Sequence, residues 1–541
     1  MANAAEIIGK RLYHAGCRRA FGIPGGEVLV LMEGLKSSGI DFVLTKHENC
    51  AGFMAEGGFH ANGAPGILLA TIGPGVANAV NVVANAYQDR VPLIFLTGCV
   101  DADEALTYTH QVFDHGDLLK PITKGSIKIV DGAVGVAIDK AVAIALDGQP
   151  GPVHVDLPIS VAVKSQPDCE MTVRNTPSPA VPADGVDLEA ARNWLQEALR
   201  PLMIAGVDVL NQKAMTTVAE FVQDFRIPLI TTYKAKGVLP EDDPLALGGA
   251  GLSPLADQYL LPLVQESDLI LLAGYDPIEM RTGWRNPWRQ SGNRNVRCKV
   301  IEFCAVPNTH YMHQADLSFV GHVGEGLKTL RQGVSKKTVW KNEQPQKVRK
   351  ELKSVFSGAE NWGPGAVIET VREVLPRNGV ITADSGAHRI LLSQMWECYE
   401  PRGLLQSSAL CTMGCAVPLA MGFQIAEPER PVVAFVGDAG MEMVLGELAT
   451  LRDLNLPVVI VVFIDESLAL IELKQRKSKL ANLGVDFGAT DFPAVAEALG
   501  GIGHLISNRS ELENALTGAF DRKTFTLLAC RIAEKVYDGR F

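Results

Sequence analysis

Two acidic residues of the C-terminal third, Asp438 and Asp465, each stand at the end of a strongly apolar run. The first run covers residues 431–436 and leads into the turn Gly437-Asp438-Ala439-Gly440, and the second covers residues 458–464. Such runs are typical of buried parallel strands, and both strands of a strand–helix–strand unit end at the same edge of the sheet. The two carboxylates are therefore predicted to lie side by side, where they favour a hard divalent cation and the phosphates that it carries.

The segment between the two acids is predicted to form the connecting helix. Its apolar residues recur at helical spacing until Asn455-Leu456-Pro457 breaks the pattern, and they are Met443, Leu445, Leu448 and Leu451. A purely structural alternative for Asp438 is the N-cap of a helix that begins near Gly440.

The composition indicates a large protein of several domains. The chain has 541 residues, of which 47% are hydrophobic, and this length indicates about three domains. A net charge of −11 argues against a nucleic-acid partner, and no apolar run is long enough to span a membrane. Residues 1–16 are read as an amphipathic helix rather than a signal peptide, and the ten cysteines include no CxxC pair. We therefore expect no membrane partner and a cytoplasmic location.

Two changes of composition divide the chain into three predicted domains, residues 1–165, 186–332 and 363–541. Residues 165–185 are polar and rich in proline, and residues 333–362 are dense in charge, with part of this second linker predicted to be helical. Within each domain, short apolar runs alternate with helical patterns, which predicts three doubly wound α/β domains with mostly parallel sheets. The predicted strands are 42–45, 66–71, 92–96 and 153–157, then 202–205, 229–232, 269–273 and 299–303, then 379–383, 431–436 and 458–464.

Polar residues also close the predicted strand 42–45, where Lys46-His47-Glu48-Asn49 leads into a helix. Open α/β sheets bind ligands at this carboxyl edge, although periodicity alone favours a structural role for Glu48 in the first helical turn. The small-residue turns at 22–26 and 73–75 are, taken alone, read as tight strand-to-helix connections. The middle domain has only weak turn signals, at 248–251 and 274–276, and no dense polar cluster.

Five segments, spread over the whole chain, together resemble the thiamine-diphosphate-dependent enzymes. Gly437-Asp438 followed by Asp465 resembles the metal-binding motif of that family. The other segments are Lys46-His47-Glu48, Gly73-Pro-Gly-Val-Ala-Asn78, Asp384-Ser-Gly-Ala-His388 and Thr412-Met413-Gly414. Any one of them is a weak signal, whereas the ordered set is highly specific.

Within this family the chain is most similar to acetolactate synthases, notably the catabolic, flavin-free branch. The similarity lies in Asp465 and in Thr109-His-Gln111, Pro121-Ile-Thr-Lys124, Gly274-Tyr-Asp-Pro-Ile-Glu279 and Gly484-Val-Asp-Phe-Gly488. It implies pyrimidine-binding, central and diphosphate-binding domains, in that order, and a homodimer or homotetramer with active sites between subunits. It also implies thiamine diphosphate and Mg²⁺ as cofactors, and we expect no FAD.

The resemblance also implies roles for individual residues. Mg²⁺ is expected to bind the carboxylates of Asp438 and Asp465 and the backbone carbonyl of Ser467. Glu48 is expected to hydrogen-bond the pyrimidine ring and to promote its imino tautomer, and Met413 to support the bend between the two cofactor rings. The predicted cofactor-binding residues are Pro24, Gly25, Glu48, Gly73, Asn78, Gly386, Ala387, His388, Cys411, Met413, Gly437, Asp438, Ala439, Gly440, Asp465, Ser467, Leu468, Ala469 and Leu470.

Two further residues are predicted to act on the substrate. Gln111 aligns with a glutamine that approaches the substrate in acetolactate synthases, and the alternative is an ordinary loop residue. Lys474 shares one face with Ser467 and Leu470 if the chain is helical from Leu468 onward. It falls where anabolic acetolactate synthases carry a tryptophan. We hypothesise that Lys474 pairs with an anionic group of a substrate, the alternative being a solvated helix lysine.

These inferences predict an enzyme that decarboxylates a 2-keto acid, with pyruvate as the expected donor, and joins the remainder to a second carbonyl. Acetolactate as the product does not follow, because Glu27 falls where the catabolic branch has a lysine and the charges of the site are rearranged. The alternatives are another thiamine-diphosphate lyase, decarboxylase, acetyltransferase or C–C hydrolase with an anionic substrate, a flavin-linked oxidase of pyruvate-oxidase type, or a non-catalytic binding protein.

Overall fold

Three β-sheets of six strands each form the framework of the computed structural model, which describes residues 2–167, 178–289, 298–336 and 340–541. All strand pairs within the sheets are parallel. The prediction of three α/β domains is thus confirmed, whereas the domain boundaries stay predictions. Part of the first predicted linker, residues 168–177, lies outside the described residues. Within the described ranges, every helix is too short or too polar to span a bilayer.

The first sheet has the strand order β2-β1-β3-β4-β6-β5. Its central strands are wholly buried, as parallel strands covered by helices on both faces must be, although β4 and β6 also carry the polar residues Thr97, His154 and Asp156. The strands are β1 (Arg19–Ile23), β2 (Asp41–Leu44), β3 (Gly66–Ala70), β4 (Leu93–Cys99), β5 (Gly125–Lys128) and β6 (Pro152–Pro158). The helices are α1 (Ala4–His14), α2 (Leu29–Ser37), α3 (Glu48–Asn62), α4 (Pro74–Asn78), α5 (Val80–Gln88), α6 (His115–Leu119), α7 (Val134–Leu146) and α8 (Ile159–Ala162).

The second sheet has the order β12-β11-β10-β7-β8-β9. Its strands are β7 (Pro201–Ala205), β8 (Leu229–Thr232), β9 (Ala246–Ala250), β10 (Leu269–Ala273), β11 (Lys299–Cys304) and β12 (Leu317–Val320). Its helices are α9 (Val186–Glu197), α10 (Val207–Asn211), α11 (Met215–Phe225), α12 (Pro254–Glu266) and α13 (Val323–Leu330), and α14 (Gln344–Val355) is the predicted helix of the second linker. The prediction of a turn at 248–251 was wrong, because Gly248, with a φ of +90°, lies within strand β9 and forms an irregularity there.

The third sheet has the order β14-β13-β15-β16-β18-β17. Its strands are β13 (Val380–Ala383), β14 (Leu404–Gln406), β15 (Val432–Gly437), β16 (Val459–Ile464), β17 (Ile502–Ile506) and β18 (Thr526–Arg531). Its helices are α15 (Pro364–Val374), α16 (Ala387–Met395), α17 (Ala416–Ala426), α18 (Asp438–Glu442), α19 (Glu447–Asp453), α20 (Ala469–Lys477), α21 (Phe492–Ala498) and α22 (Arg509–Leu516).

The connection between β15 and β16 differs from the single helix expected there. Two short helices, α18 and α19, are separated by a turn, and Met443 in that turn is 64% exposed instead of facing the core. Met441 and Val444 are buried in its place. The break places the buried carboxylate of Glu447 against the first domain, where it accepts a hydrogen bond from the backbone amide of Lys46 at 2.9 Å.

The first and third domains share one hydrophobic core, and helices α3 and α17 cross within it. A Cβ atom added to Gly57 of α3 would lie 2.2 Å from the carbonyl oxygen of Leu419, and one added to Gly422 of α17 would lie 1.9 Å from that of Met54. The two backbones are therefore in direct contact at positions that only glycine allows.

Candidate functional site

Three acidic residues follow three adjacent strands of the third sheet. Asp384 follows β13, Asp438 follows β15 and Asp465 follows β16. Gly437 pairs with Phe463 in the register, so the two strands end almost level. The carboxyl ends of parallel strands share one edge, and the expected closeness of Asp438 and Asp465 is found there.

The carboxylate of Asp438 connects the ends of β15 and β16 directly. Its Oδ2 accepts hydrogen bonds from the amides of Asp465 at 3.2 Å and Glu466 at 2.8 Å, and its Oδ1 accepts one from Ala439 at 2.8 Å. Asp438 is the first residue of α18, and the cap position belongs to Gly437. The alternative that Asp438 is the N-cap of a helix beginning near Gly440 is therefore wrong, because the helix begins at Asp438 itself.

Burial disfavours the charged form of both carboxyls, and the charge of Asp438 further disfavours that of Asp465. Burial raises the pKa of Asp438, and burial together with the charge of Asp438 raises the pKa of Asp465 to about 7. A divalent cation between two such groups would favour the charged form of each, and carboxylate oxygens are the ligands that Mg²⁺ prefers. The donor set thus fits the predicted cation.

Asp384 is a residue of this site that the sequence reasoning did not single out, although its motif was noted. Its Oδ1 lies 2.8 Å from Nε2 of His388 and accepts from the amide of Gly437 at 3.3 Å. Its Oδ2 accepts from the amide of Gly414 at 2.8 Å. Asp384 therefore holds together three segments that were predicted separately as cofactor contacts. The sequence signal that could have identified Asp384 is its position directly after β13, the strand next to β15.

An open space lies beside these acids, and two glycines that line it have no room for a side chain. A Cβ atom on Gly440 would lie 2.0 Å from Oδ2 of Asp384, and one on Gly386 would lie 2.5 Å from Cε1 of His388. The space is a cavity of about 130 Å³. It is lined by Ser385, Gly386, Ala387, His388, Met413, Gly437, Asp438, Ala439, Gly440, Phe463, Asp465, Ser467, Leu468, Ala469, Leu470, Ile471 and Tyr537. Most of the predicted cofactor-binding residues of the third domain are thus brought together, and the backbone is accessible to a diphosphate at the start of α18.

Tyr537 was missed from the sequence because it belongs to no motif. It lines the cavity from the C-terminal end of the chain and is only 4% exposed. Burial, with Asp465 and Asp438 nearby, raises its pKa well above the ordinary value for tyrosine.

The segment after Asp465 is held by the Gly484-Val-Asp-Phe-Gly488 segment. The Ser467 hydroxyl donates to Asp486 at 2.8 Å, and the amide of Leu468 donates to the carbonyl of Val485 at 2.8 Å. Helix α20 then begins at Ala469, one residue after the start considered from the sequence, and carries Leu470 along the cavity. Lys474 is exposed one turn further on and does not line the cavity.

Cys411 lies in the loop that leads to Met413, and neighbours from two domains fix this loop. Cys411 has a φ of +52°, and its Sγ accepts a hydrogen bond from Arg389 at 3.0 Å. Asp89, at the end of α5, accepts from the amides of Ser408 and Ala409 at 2.8 and 2.9 Å.

The predicted residues of the first domain form a second cluster. Asn78 donates to Oε2 of Glu48 at 3.0 Å, and a Cβ on Gly75 would lie 3.3 Å from Oε1 of Glu48. Gly73 has a φ of +70°, and a Cβ there would lie 2.4 Å from the carbonyl oxygen of Gln111.

The remaining first-domain predictions lie around the turn after β1. Pro24 is exposed, and a Cβ on Gly25 would meet Thr71, whose hydroxyl donates to Glu27 at 2.7 Å. Among the described residues, none of this second cluster lines the cavity beside Asp438 and Asp465.

Comparison with known proteins agrees with this arrangement. Three family models match in order: the N-terminal TPP binding domain of thiamine pyrophosphate enzymes over residues 2–118, their central domain over 188–330 and their C-terminal TPP binding domain over 384–530. The chain belongs to the thiamine pyrophosphate enzyme family. It is therefore a thiamine-diphosphate-dependent enzyme, and the two clusters lie in the two domains that these models describe as TPP-binding.

Relatives within this family are acetolactate synthases. The chain is 29% identical to the acetolactate synthase of Bacillus subtilis over 95% of this chain and 90% of that protein. It is 30% identical to the probable acetolactate synthase large subunit of Methanocaldococcus jannaschii over 95% and 89% of the two chains. Identity to the acetolactate synthase isozyme 3 large subunit of Escherichia coli is 28% over 96% and 93%. The enzyme is thus acetolactate synthase-like along its whole length.

Proposed function

We propose that this enzyme uses Mg²⁺ and thiamine diphosphate to decarboxylate a 2-keto acid, pyruvate first among them, and joins the remaining acyl unit to a second carbonyl compound. The observation that carries the proposal is the pair Asp438 and Asp465 beside a glycine-lined cavity in one TPP-binding domain, with Glu48 bonded to Asn78 in the other. The named activity of its relatives supports the reaction class.

The third domain would hold the diphosphate end of the cofactor. The carboxylates of Asp438 and Asp465 and the carbonyl of Ser467 would bind Mg²⁺, which prefers such oxygens. The amides of Ala439 and Gly440, with Gly386, Ala387 and His388, would bind the diphosphate. Met413 and backbone groups of Cys411 would hold the rest of the cofactor. When bound, thiamine diphosphate supplies the carbon nucleophile and the electron sink for loss of CO₂.

Glu48 would be the proton-transferring residue. It is 4% exposed, so its carboxyl is shielded from water. The side-chain amide of Asn78 donates to Oε2, and Oε1 lies beside Gly75. Gly73, Gly25 and Pro24 complete the wall for the pyrimidine ring, and Gln111 approaches the substrate from the loop behind Gly73. We expect Glu48→Gln to lower the rate of CO₂ release by about 10²–10⁴-fold. The exposed Glu33 supplies the matched control, Glu33→Gln, which should leave the rate unchanged.

The active sites would lie between two copies of the chain. In one copy, the cavity beside Asp438 and Asp465 is lined by the third domain, whereas Glu48 belongs to the first. Large apolar side chains are also exposed on both domains: Leu106 at 93%, Leu483 at 78% and Leu480 at 65%. We infer that a second copy of the chain covers these side chains.

Subunit complementation tests this arrangement. Glu48→Gln and Asp438→Asn enzymes, each inactive alone, are unfolded and refolded together. Mixed dimers would contain one site with both residues intact and regain activity. No regain from dimers whose mixing is verified by mass would place each site within a single chain, and light scattering distinguishes dimer from tetramer.

Lys474 would select an anionic substrate. It lies one helical turn beyond Leu470 and Ile471, which line the cavity, and its side chain is exposed. The test compares Lys474→Ala with Lys477→Ala, an exposed lysine of the same helix. Only Lys474→Ala should raise the KM for anionic acceptors relative to the KM for neutral ones. An unchanged ratio in Lys474→Ala would rule the role out.

The decisive experiment follows CO₂ release by purified enzyme with Mg²⁺, thiamine diphosphate and a panel of 2-keto acids. Release from pyruvate, followed by identification of the carbon–carbon product, would support the proposal. A panel without any release would instead favour a lyase, acetyltransferase or C–C hydrolase. We also infer that no flavin is used, and a flavin absorption spectrum in the purified protein would overturn this in favour of a pyruvate-oxidase type.

A further inference from the structure

A buried hydrogen-bonded chain of polar residues runs through the first domain behind the turn that contains Gly73. It connects His154, Thr97, Asp156 and His115, and at its far end His154 contacts the exposed residue Ser126. Thr97 and His154 have no exposed surface, and His115 is 3% and Asp156 9% exposed. Nothing in the proposed reaction uses these groups, yet burying so many polar groups is favourable only when each of them is paired.

The hydrogen-bond partners assign the proton positions at one end of this chain. The amide of Gly73 can only donate, and it faces Nε2 of His115 at 3.3 Å. That nitrogen is therefore the acceptor, and the proton of the neutral ring is on Nδ1, which donates to Oδ1 of Asp156 at 3.1 Å.

The other end is assigned in the same way. The hydroxyl of Thr97 donates to Oδ1 of Asp156 at 2.7 Å, so it accepts from Nε2 of His154, also at 2.7 Å. The Nδ1 of His154 then accepts from the hydroxyl of Ser126 at 2.7 Å. Burial lowers the pKa of His154 to about 4, which keeps this ring neutral, as the assignment requires.

These assignments argue against a metal ion, although ligand atoms of His115, His154 and Asp156 lie within 4.8 Å of one another. A metal would have to displace the proton from Nδ1 of His115. The ring would then carry its proton on Nε2, pointing at the amide proton of Gly73. Each nitrogen of the two rings already has a partner, so the cluster is a hydrogen-bond relay.

The relay ends on the turn that contacts the proposed catalytic residues. Gly73 precedes α4, and its amide is one that the helix itself does not bond. On the same turn, Gly73 touches the backbone of Gln111, and Gly75 and Asn78 contact Glu48. A displacement of Gly73 would therefore move both the pyrimidine wall and the loop of Gln111.

We propose that His115 is a positioning residue that fixes the Gly73 turn for the cofactor's pyrimidine ring, and that Asp156, Thr97 and His154 hold His115 in the required tautomer. The proposal rests on the proposed function, because the role of Gly73 in cofactor binding belongs to it. It assigns a task to two histidines that lie outside the five segments by which the family was identified.

Two variants of His115 separate its two hydrogen bonds. Glutamine places a terminal acceptor near the position of Nε2 and so keeps the hydrogen bond from the amide of Gly73. Asparagine keeps a donor near the position of Nδ1 but loses the hydrogen bond from Gly73. We expect His115→Asn to weaken thiamine diphosphate binding in the presence of Mg²⁺ by about tenfold or more, because a buried amide loses its partner. His115→Gln should stay within about threefold of the wild type.

The measurements are calorimetric titration with thiamine diphosphate and near-UV circular dichroism of the bound aminopyrimidine, whose signal a merely structural change would not alter selectively. His322→Gln, at the N-cap of α13 in the central domain, is the matched control and should leave both unchanged. Equal affinities for the Asn and Gln variants would overturn the proposal.

A second pair tests the relay at a distance from His115. Thr97→Val removes the hydroxyl between His154 and Asp156, and Thr97→Ser keeps it. Weaker binding in the valine variant alone supports the relay, and wild-type affinity in that variant overturns it. Stoichiometric Zn²⁺ binding that is lost in His154→Gln would overturn it in favour of a metal site. If the wild type itself bound no thiamine diphosphate, the proposed function would fail, and not the relay alone.

Discussion

Arg389 of the third domain and Glu279 of the central domain form an ion pair that is almost entirely buried. Their side chains are 2% and 4% exposed, and the same guanidinium donates to Gln406 at 3.1 Å and to Cys411 at 3.0 Å. On the other side of the same segment, Arg90 of the first domain pairs with Asp276 at 3.0 Å. The segment 274–279 is thus tied by charge to both neighbouring domains, and through Arg389 to the loop of Met413.

Glu279→Gln should destabilise the protein strongly, because it leaves the charge of Arg389 buried without compensation. We expect a loss of about 3–5 kcal/mol in the free energy of unfolding, measured by urea denaturation. The double variant Glu279→Leu, Arg389→Met should recover most of the loss, because no charge is then buried. The exposed pair Asp242 and Arg377 is the control, and Asp242→Asn should cost about 0.5 kcal/mol or less. A small effect at Glu279 would contradict the burial of the pair.

Gly57 and Gly58 are neighbours in α3 that should respond in opposite ways to alanine. A Cβ on Gly57 would lie 2.2 Å from the carbonyl of Leu419, whereas the nearest atom to one on Gly58 is 3.9 Å away. We expect Gly57→Ala to lower the free energy of unfolding by about 1–3 kcal/mol or more, because α17 must move. Gly58→Ala should be neutral or stabilise by up to about 1 kcal/mol through helix propensity. Thermal unfolding of both variants checks this, and equal midpoints would contradict the close crossing.

His154 should make the protein less stable as the pH falls. Its pKa is lowered from 6.5 to about 4 by burial, against the opposing charges of Asp156 and Asp114, while His115 adds to the lowering. Between these values the unfolded chain binds a proton that the folded protein does not, so stability rises with pH in this window. The lowered pKa of His154 accounts for a change of about 3 kcal/mol in the free energy of unfolding between these two pH values.

The measurement is the free energy of unfolding at pH values from 4 to 7. His154→Gln should show a shallower pH dependence than the wild type over this window, whereas His14→Gln, which changes an exposed histidine, should not. Parallel profiles for the wild type and His154→Gln would show that the ring titrates normally.

Removal of the divalent cation should release the cofactor. Asp438 and Asp465 face one cavity, and the diphosphate would have to approach two carboxylates directly if no cation lay between them. We expect chelation with EDTA, and separately Asp438→Asn or Asp465→Asn, to weaken thiamine diphosphate binding by about tenfold or more. Asp453→Asn, at an exposed position of α19, is the control. Unchanged cofactor affinity in EDTA would exclude the cation bridge.

Much of the fold and part of the site could be predicted because the signals are local. The buried runs before Asp438 and Asp465 identify parallel strands, and parallel strands that follow one another through a helix must end at the same edge. The predicted strand ranges do not include β1, β5, β9, β12, β14, β17 and β18. Most of these strands are short, and β5 and β12 have only alternating burial, so their apolar signal is weak. The broken helix between β15 and β16 escaped prediction because Glu447 is buried against another domain, which periodicity alone does not reveal.

By itself, then, the sequence determined the three parallel α/β sheets, the adjacency of Asp438 and Asp465, and the family, since these depend on hydrophobic periodicity and on short ordered motifs. Only the tertiary structure decided that Asp384 joins three cofactor segments, that Tyr537 lines the cavity, that Glu279 is paired with Arg389 and that His115 reaches Gly73. Each of these joins residues that are remote along the chain or that carry no local pattern. Such contacts are set by how helices and sheets pack against each other, and a single sequence does not encode them in any spacing.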